Sequence, residues 1–247
     1  MTTISLEKQL DLRKNIVLDL KKKKGIENIK AQVILSLDFS GSMDRLYSNG
    51  AVQSLVERLL PLGLAFDDNG EVDFYLFDDK CNKLRENLTI NNINGYINSK
   101  IIGKYSMGGT HYAPVITKIV EDFGSFTEQS SSGFLGFGKK TTKKYNKLSM
   151  PVFVIMITDG ENSDISASEE AISEAAKAGI FFQFVGIGKS SFPFLEKLDN
   201  LSNRVIDNAG FFKVDDLSNK TDEQLYTLLL NEFPGFVIQA KAKGLIA

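Results

Sequence analysis

Three short runs in this sequence carry oxygen-bearing side chains at positions where chemistry is easiest to place. The first is Asp38-Phe39-Ser40-Gly41-Ser42, in which a carboxylate and two hydroxyls recur at alternate positions. Gly41 permits the tight turn between the serines. The second is Ser106 to Thr110 (SMGGT), where two glycines let the backbone approach closely while Thr110 presents a hydroxyl. The third is Thr158-Asp159-Gly160, at the end of the most apolar stretch of the chain. All the donors are oxygens, which suit a hard divalent cation, Mg2+ first with Mn2+ or Ca2+ as alternatives, over a soft metal. Taken alone, Asp38 to Ser42 also reads as an Asx-turn with a helix cap, and Thr158 to Gly160 as an ordinary turn. Their order and shared placement at strand or loop ends make the set more specific than any member.

The elements that must position these runs are legible from periodicity. Ala31 to Leu37 (AQVILSL) reads as a strand ending at Asp38, and Val52, Leu55, Val56 and Leu59 follow helical spacing. Glu71 to Phe77 predicts a strand with a hairpin-like return through Cys81 to Leu88, and Asn92 to Ile101 a short helix. Val115, Ile116, Ile119, Val120 and Phe123 mark another helical face after the SMGGT loop. Pro151 to Ile157 (PVFVIMI) has the unbroken apolar character of a parallel strand covered on both faces.

Ser166 to Glu169 (SASE) has capping-box form, predicting a helix that runs to Ala178 before Gly179. Ile180 to Ile187 is a further buried strand, Phe194 to Leu201 a short helix and Gly210 to Val214 an edge strand. A second capping box, Thr221 to Gln224, opens a helix containing Leu225, Leu228 and Leu229. Strands alternating with helices predict an α/β fold: a doubly wound, mostly parallel sheet flanked by helices, with one antiparallel edge strand. Ligands of such sheets bind at the carboxyl ends of the strands, where DFSGS and TDG both fall.

Residues 1–30 read as a helical or extended appendage to a domain spanning 31–247. Leu6, Leu10, Ile16, Val17 and Leu20 suggest one apolar helix face, and Lys21 to Lys24 before Gly25 suit a helix C-terminus. The lysines read as a solvated helix end, with a membrane or partner patch as the alternative. Residues 124–149 are rich in Ser, Gly, Thr and Lys, and predict a surface insertion. Within it, GFLGFG (133–138) and lysines up to 147 give either a docking tip built on Phe134, Leu135 and Phe137 or a flexible insertion folded back on the body.

Composition narrows the function classes. Twenty-nine basic and 31 acidic residues give a formal net charge of −2, which argues against a dedicated nucleic-acid binder. Cys81 is the only cysteine, so no intrachain disulfide forms and multi-thiolate zinc sites are excluded. No apolar run suits a signal peptide or a membrane span, and a cytoplasmic protein is expected.

Asp38-x-Ser40-x-Ser42, Thr110 and Asp159 resemble the metal-ion-dependent adhesion site (MIDAS) of von Willebrand factor A-type (vWA) domains. The likeness covers roughly Ala31 to Phe236. Within that Rossmann-like superfamily, LDFSGSM, VQSLVERLLPLGLAFDDNGEVDFYLF, GGTHYAPVI and LLLNEFPGF resemble the bacterial tellurium-resistance (Ter-type) branch, itself related to copine A domains.

The resemblance implies that Ser40, Ser42 and, in the ligand-competent state, Thr110 bind the metal directly. It gives Asp38 and Asp159 direct or water-mediated contacts. It also implies a role in protein–protein interaction, with an Asp or Glu carboxylate of a partner completing the metal's shell, in a stress or tellurite-response complex. Gly41, Met43, Gly109, His111 and Gly160 flank the donors and are expected to form the ligand-binding rim. Two other readings stay open: a metal-assisted hydrolase of phosphoryl groups, and a structural module whose metal only stiffens the loops. The chain has no nucleotide-binding glycine loop, and its single histidine has no second group to act with, so no catalytic residue is expected.

Overall fold

The structure, a computed structural model, describes residues 4–67, 69–132, 139–160, 162–202, 204–215 and 219–247. Helix α1 (Leu6–Lys23) precedes strand β1 (Gln32–Asp38), a 3-10 turn over Gly41–Met43, and helices α2 (Asp44–Ser48) and α3 (Ala51–Phe66). Strands β2 (Glu71–Phe77), β3 (Cys81–Lys83) and β4 (Leu88–Thr89) lead to helices α4 (Tyr96–Lys100) and α5 (Ala113–Phe123). After β5 (Phe126–Ser132) and β6 (Lys139–Tyr145), the chain alternates through β7 (Val152–Thr158), α6 (Ile165–Lys177), β8 (Ile180–Ile187), α7 (Pro193–Asp199) and β9 (Ala209–Val214). Helices α8 (Asp222–Leu229) and α9 (Phe233–Ala242) close it.

The main sheet runs β3-β2-β1-β7-β8-β9, with β4 also paired to β2. Strands β2, β1, β7, β8 and β9 are parallel, while β3 and β4 return antiparallel to β2. The expected mostly parallel sheet is therefore present, and its antiparallel edge is β3. Strand β9 forms the opposite edge and is parallel to β8.

The unbroken apolar runs are explained by burial on both faces. Val33, Leu35 and Leu37 of β1, with Phe153, Ile155 and Ile157 of β7, face one core beneath α1, α3, α8 and α9. Ile34 of β1 and Val152, Val154 and Met156 of β7 face the other, beneath α5, α6 and α7. Consecutive strand residues point to opposite faces, so an all-apolar strand fills two cores at once.

Residues 1–30 supply Leu10, Val17, Leu20 and Ile26 to the first core, with α1 packed against α3 and α8. Gly25 adopts φ +68° just past the C-cap Lys24. Lys21 departs from a solvated helix end: it is 3% exposed, and its Nζ donates to the carbonyls of Ile29 (2.9 Å) and Ala65 (2.8 Å). The segment 124–149, where a long loop is expected, carries the antiparallel ribbon β5–β6, in register from Phe126↔Tyr145 to Ser132↔Lys139. The docking tip at 133–138 lies outside the described residues. No helix among those described is long and apolar enough to cross a membrane.

Candidate functional site

The carboxyl ends of β1, β2 and β7 lie side by side, because Asp38 pairs with Phe77 and Leu37 with Ile157. Each strand then delivers a polar turn to one rim. Asp38 has no exposed surface. Its Oδ1 accepts the N–H of Ser40 at 2.8 Å, so the Asx-turn expected as an alternative does form. Its Oδ2 accepts the hydroxyl of Thr158 at 2.6 Å, tying the end of β1 to the end of β7. Ser40 makes no side-chain cap; its Oγ lies 3.1 Å from Ser42 Oγ. Ser42 Oγ in turn donates to Asp159 Oδ1 at 2.7 Å.

Hydrogen bonds thus link Asp38, Ser40, Ser42 and Asp159, the first through the Ser40 N–H and the other two from hydroxyl to hydroxyl and hydroxyl to carboxylate. Burial pushes the Asp38 carboxyl up to about 6 against the bonds from Thr158 and Ser40, with the charge of Asp159 adding to the rise. A buried carboxylate beside a second one, with hydroxyls between, is a donor set that a hard divalent cation would neutralise. Among the described residues no three His, Cys, Asp or Glu side chains converge, so a cation here must draw on hydroxyls as well.

The SMGGT loop is laced onto this rim by its backbone. Gly41 N donates to Gly108 O (3.1 Å), Gly108 N to Phe39 O (3.3 Å), and Ser40 forms a parallel bridge with Gly108. Thr110 is half-buried, and its carbonyl accepts the N–H of Ser163 at 3.1 Å and the Ser163 hydroxyl at 3.3 Å. His111 N donates to Asp78 O (3.0 Å), and its Nδ1 stands 4.0 Å from Asp79 Oδ1.

The five expected donors therefore come from three loops that are bonded to one another. Of the rim residues, Gly41 and Gly109 are exposed, and His111 and Gly160 half-exposed. Met43 is a correction. Its side chain is fully buried in the core under α3, because the 3-10 turn runs straight into α2 and turns the residue inward.

Other residues that shape the site escaped sequence reasoning. Thr158 holds Asp38, and the hydroxyl of the buried Tyr112 donates to Gly160 O at 2.7 Å and lies 3.3 Å from Thr158 Oγ1. Asp164 accepts the N–H groups of Tyr112 (3.0 Å) and Ala113 (2.8 Å) at the start of α5. Burial would raise the Asp164 carboxyl, but these bonds, with those from Asn162 and Ser168, hold it below its ordinary range. The only signal for Thr158 was its place before Asp159, and an aspartate in a loop rich in Asn and Ser gives none.

Comparison with known proteins gives this fold relatives. The family described as the vWA domain found in the TerF C terminus (vWA-TerF-like) matches residues 30–137 and 138–246. The uncharacterized protein YcbR of Bacillus subtilis (strain 168) is 34% identical over 241 residues, covering 96% of this chain and 90% of that protein. Among solved structures, proximal thread matrix protein 1 from the mussel byssus aligns with a TM-score of 0.52 and 16% identity, over 81% of this chain and 46% of that one. The ArnB paralog VWA2 from Sulfolobus acidocaldarius aligns with a TM-score of 0.45 and 18% identity, over 81% of this chain and 44% of that one. This chain spans less than half the length of either solved chain.

Proposed function

The chain belongs to the vWA-TerF-like family, and from that premise we propose that it is a metal-dependent protein-interaction module that binds and does not catalyse. In this reading Asp38, Ser40, Ser42, Thr110 and Asp159 hold one divalent cation, Mg2+ before Mn2+ or Ca2+. Held largely by neutral hydroxyls, such a cation would stay electrophilic and take an Asp or Glu carboxylate of a partner protein. The observation that supports the reading is the hydrogen-bonded run from the buried Asp38 through Ser40 and Ser42 to Asp159, which gathers two carboxylates and two hydroxyls on one rim. Gly41, Gly109, His111 and Gly160 surround it as the rim that meets the partner. The Ter-type resemblance makes a bacterial stress or tellurite-resistance complex the proposed setting.

Thermal melts with and without excess Mg2+ or Mn2+ test the site. Saturation at a hundredfold excess over Kd adds about 2.7 kcal/mol to the folded state. For a domain of this size that raises Tm by roughly 5–10 °C. Asp38→Ala is expected to keep the fold and lose the shift. A wild-type protein with no shift, or a variant that keeps it, would defeat the assignment. A peptide bearing Asp or Glu should bind in Mg2+ and dissociate in EDTA; binding indifferent to EDTA contradicts capture through the metal.

A further inference from the structure

Strand β2 ends at Phe77, the ladder partner of Asp38, and the next two residues are both aspartates. They do different work. The Asp78 carboxylate is used within its own turn, where Oδ1 accepts the N–H of Lys80 at 2.6 Å. The Asp79 carboxylate leaves its turn and reaches the SMGGT loop, where Oδ2 accepts the N–H of Gly109 at 3.1 Å.

The two glycines are what allow this. A Cβ on Gly108 would stand 2.9 Å from Asp79 Oδ2, and one on Gly109 would collide with Asp79 Oδ1. Gly108 thus makes room for both aspartate side chains, and Gly109, directly before Thr110, for the Asp79 carboxylate alone. On the far side of Thr110, Ser163 grips its carbonyl through both N–H and hydroxyl, and Asp78 O receives His111 N. Thr110 is the one metal donor proposed here that sits on neither the DFSGS nor the TDG turn. Backbone bonds to Phe39 and Gly41 pin Gly108; beyond it, Asp79 holds Gly109 and Ser163 holds Thr110.

We propose that Asp79 is a positioning residue that fixes the Gly109 backbone, and so the approach of Thr110 to the cation site. This rests on the metal-binding reading above. The carboxylate acts through the shape of the loop and not as a ligand: its Oδ2 is taken by Gly109 N, and its Oδ1 faces Gly109 and His111. About half of the Asp79 side chain is exposed, so its removal uncovers no core.

Calorimetric titration of Mg2+ and Mn2+ into the full chain tests this. Asp79→Ala is expected to weaken affinity by about tenfold or more, the usual effect of losing a group that orients a ligand. Its metal-free Tm should stay within about 2 °C of wild type, as for a surface substitution. Asp79→Asn keeps an oxygen that accepts from Gly109 N but carries no charge, and should recover affinity to within about threefold. In a Thr110→Val background, Asp79→Ala should add less than about a twofold loss, because the two changes act on the same donor.

Three results overturn the inference: Asp79→Ala binding like wild type, Asp79→Asn as weak as Asp79→Ala, or a full loss from Asp79→Ala persisting without the Thr110 hydroxyl. The second would assign the effect to the charge of Asp79 and not to the loop. A wild-type chain that takes no cation removes the metal reading and this inference together. A wild-type chain that binds while Asp79→Ala is unaffected removes only the latter.

Discussion

Asp38 lies fully buried at the end of β1, and its two oxygens are divided between a backbone N–H and the hydroxyl of Thr158. That division leaves Ser40 and Ser42 to lead outward to the exposed side of the site. Thr158 therefore belongs to the stability of the metal-free site, whereas the exposed Ser42 belongs to its binding face. Replacing Thr158 by valine keeps the branched shape and deletes the 2.6 Å bond to Asp38 Oδ2. A buried acceptor left without its donor costs about 1–3 kcal/mol. Thr158→Val should lose that much in urea denaturation at pH 7.5, read by far-UV circular dichroism because the chain has no tryptophan. A loss below about 0.5 kcal/mol, the size of an ordinary surface change, would mean that Thr158 does not hold Asp38.

At the far edge of the sheet, helices α7 and α9 meet β9 around a group of carboxyls. Glu232 is the N-cap residue of α9, a place where the helix dipole favours an anion. Burial nevertheless pushes its carboxyl up to about 7, with the charges of Asp199 and Asp207 adding to the rise and Arg204 opposing it. The Gln183 amide lies alongside: a Cβ on Gly210 would stand 2.9 Å from both Gln183 Oε1 and Glu232 Oε2. With the folded value above the ordinary 4.5, the folded state binds more protons than the unfolded chain between these limits. Stability from this group is full below about pH 4.5 and is lost as pH rises through about 7. Solvent around the half-buried side chain keeps the effect to the order of 1 kcal/mol. Glu232→Gln should therefore flatten the fall in urea midpoint between pH 5 and pH 8. The comparison reads Glu232 together with Asp199, whose carboxyl is also raised in this cluster, while Asp38 is common to both proteins; parallel pH profiles would refute it.

The same elements show what local sequence carries and what it omits. Strands β1 and β7 were legible because burial on both faces leaves an unbroken apolar run. The Thr221–Gln224 box forms as read, with reciprocal bonds of 3.2 and 3.0 Å. The Ser166–Glu169 box does not. Helix α6 starts at Ile165, Asp164 turns its carboxylate to the first N–H groups of α5, and Glu169 pairs with Lys197 at 2.6 Å. The ribbon β5–β6 was illegible because FTEQSSS and KKTTKKY carry little apolar alternation. Asp38, Ser40, Ser42 and Asp159 were readable as residue types at strand ends. Thr158 and Asp79 were not, because their roles are contacts between loops far apart in sequence.

At the scale of the molecule, α1, α3 and α8 are joined through one carboxylate. Asp222, in the first turn of α8, accepts Arg13 Nε of α1 at 2.9 Å on Oδ2 and Arg58 Nε of α3 at 2.6 Å on Oδ1. Arg58 also donates from Nη2 to Lys220 O at 2.7 Å, and its own carbonyl accepts the hydroxyl of Tyr226 at 2.6 Å. The side chains of Arg13 and Arg58 are 17% and 9% exposed, so both cations are largely withdrawn from water. Removing the shared carboxylate leaves two such charges facing each other, which is where a partly buried pair approaches the ~3 kcal/mol cost of breaking a buried one. Asp222→Ala should thus lower stability by about 2–3 kcal/mol, and Asp222→Asn, which keeps the oxygen but not the charge, by less. Equilibrium urea melts at pH 7 measure both. If α1 rode on the domain without holding it, Arg13→Met in the Asp222→Ala background would change nothing and Asp222→Ala itself would cost under about 1 kcal/mol, as for an exposed ion pair. If α1 is part of the wall, removing the stranded Arg13 charge should restore part of the stability lost, because the repulsion between Arg13 and Arg58 goes with it.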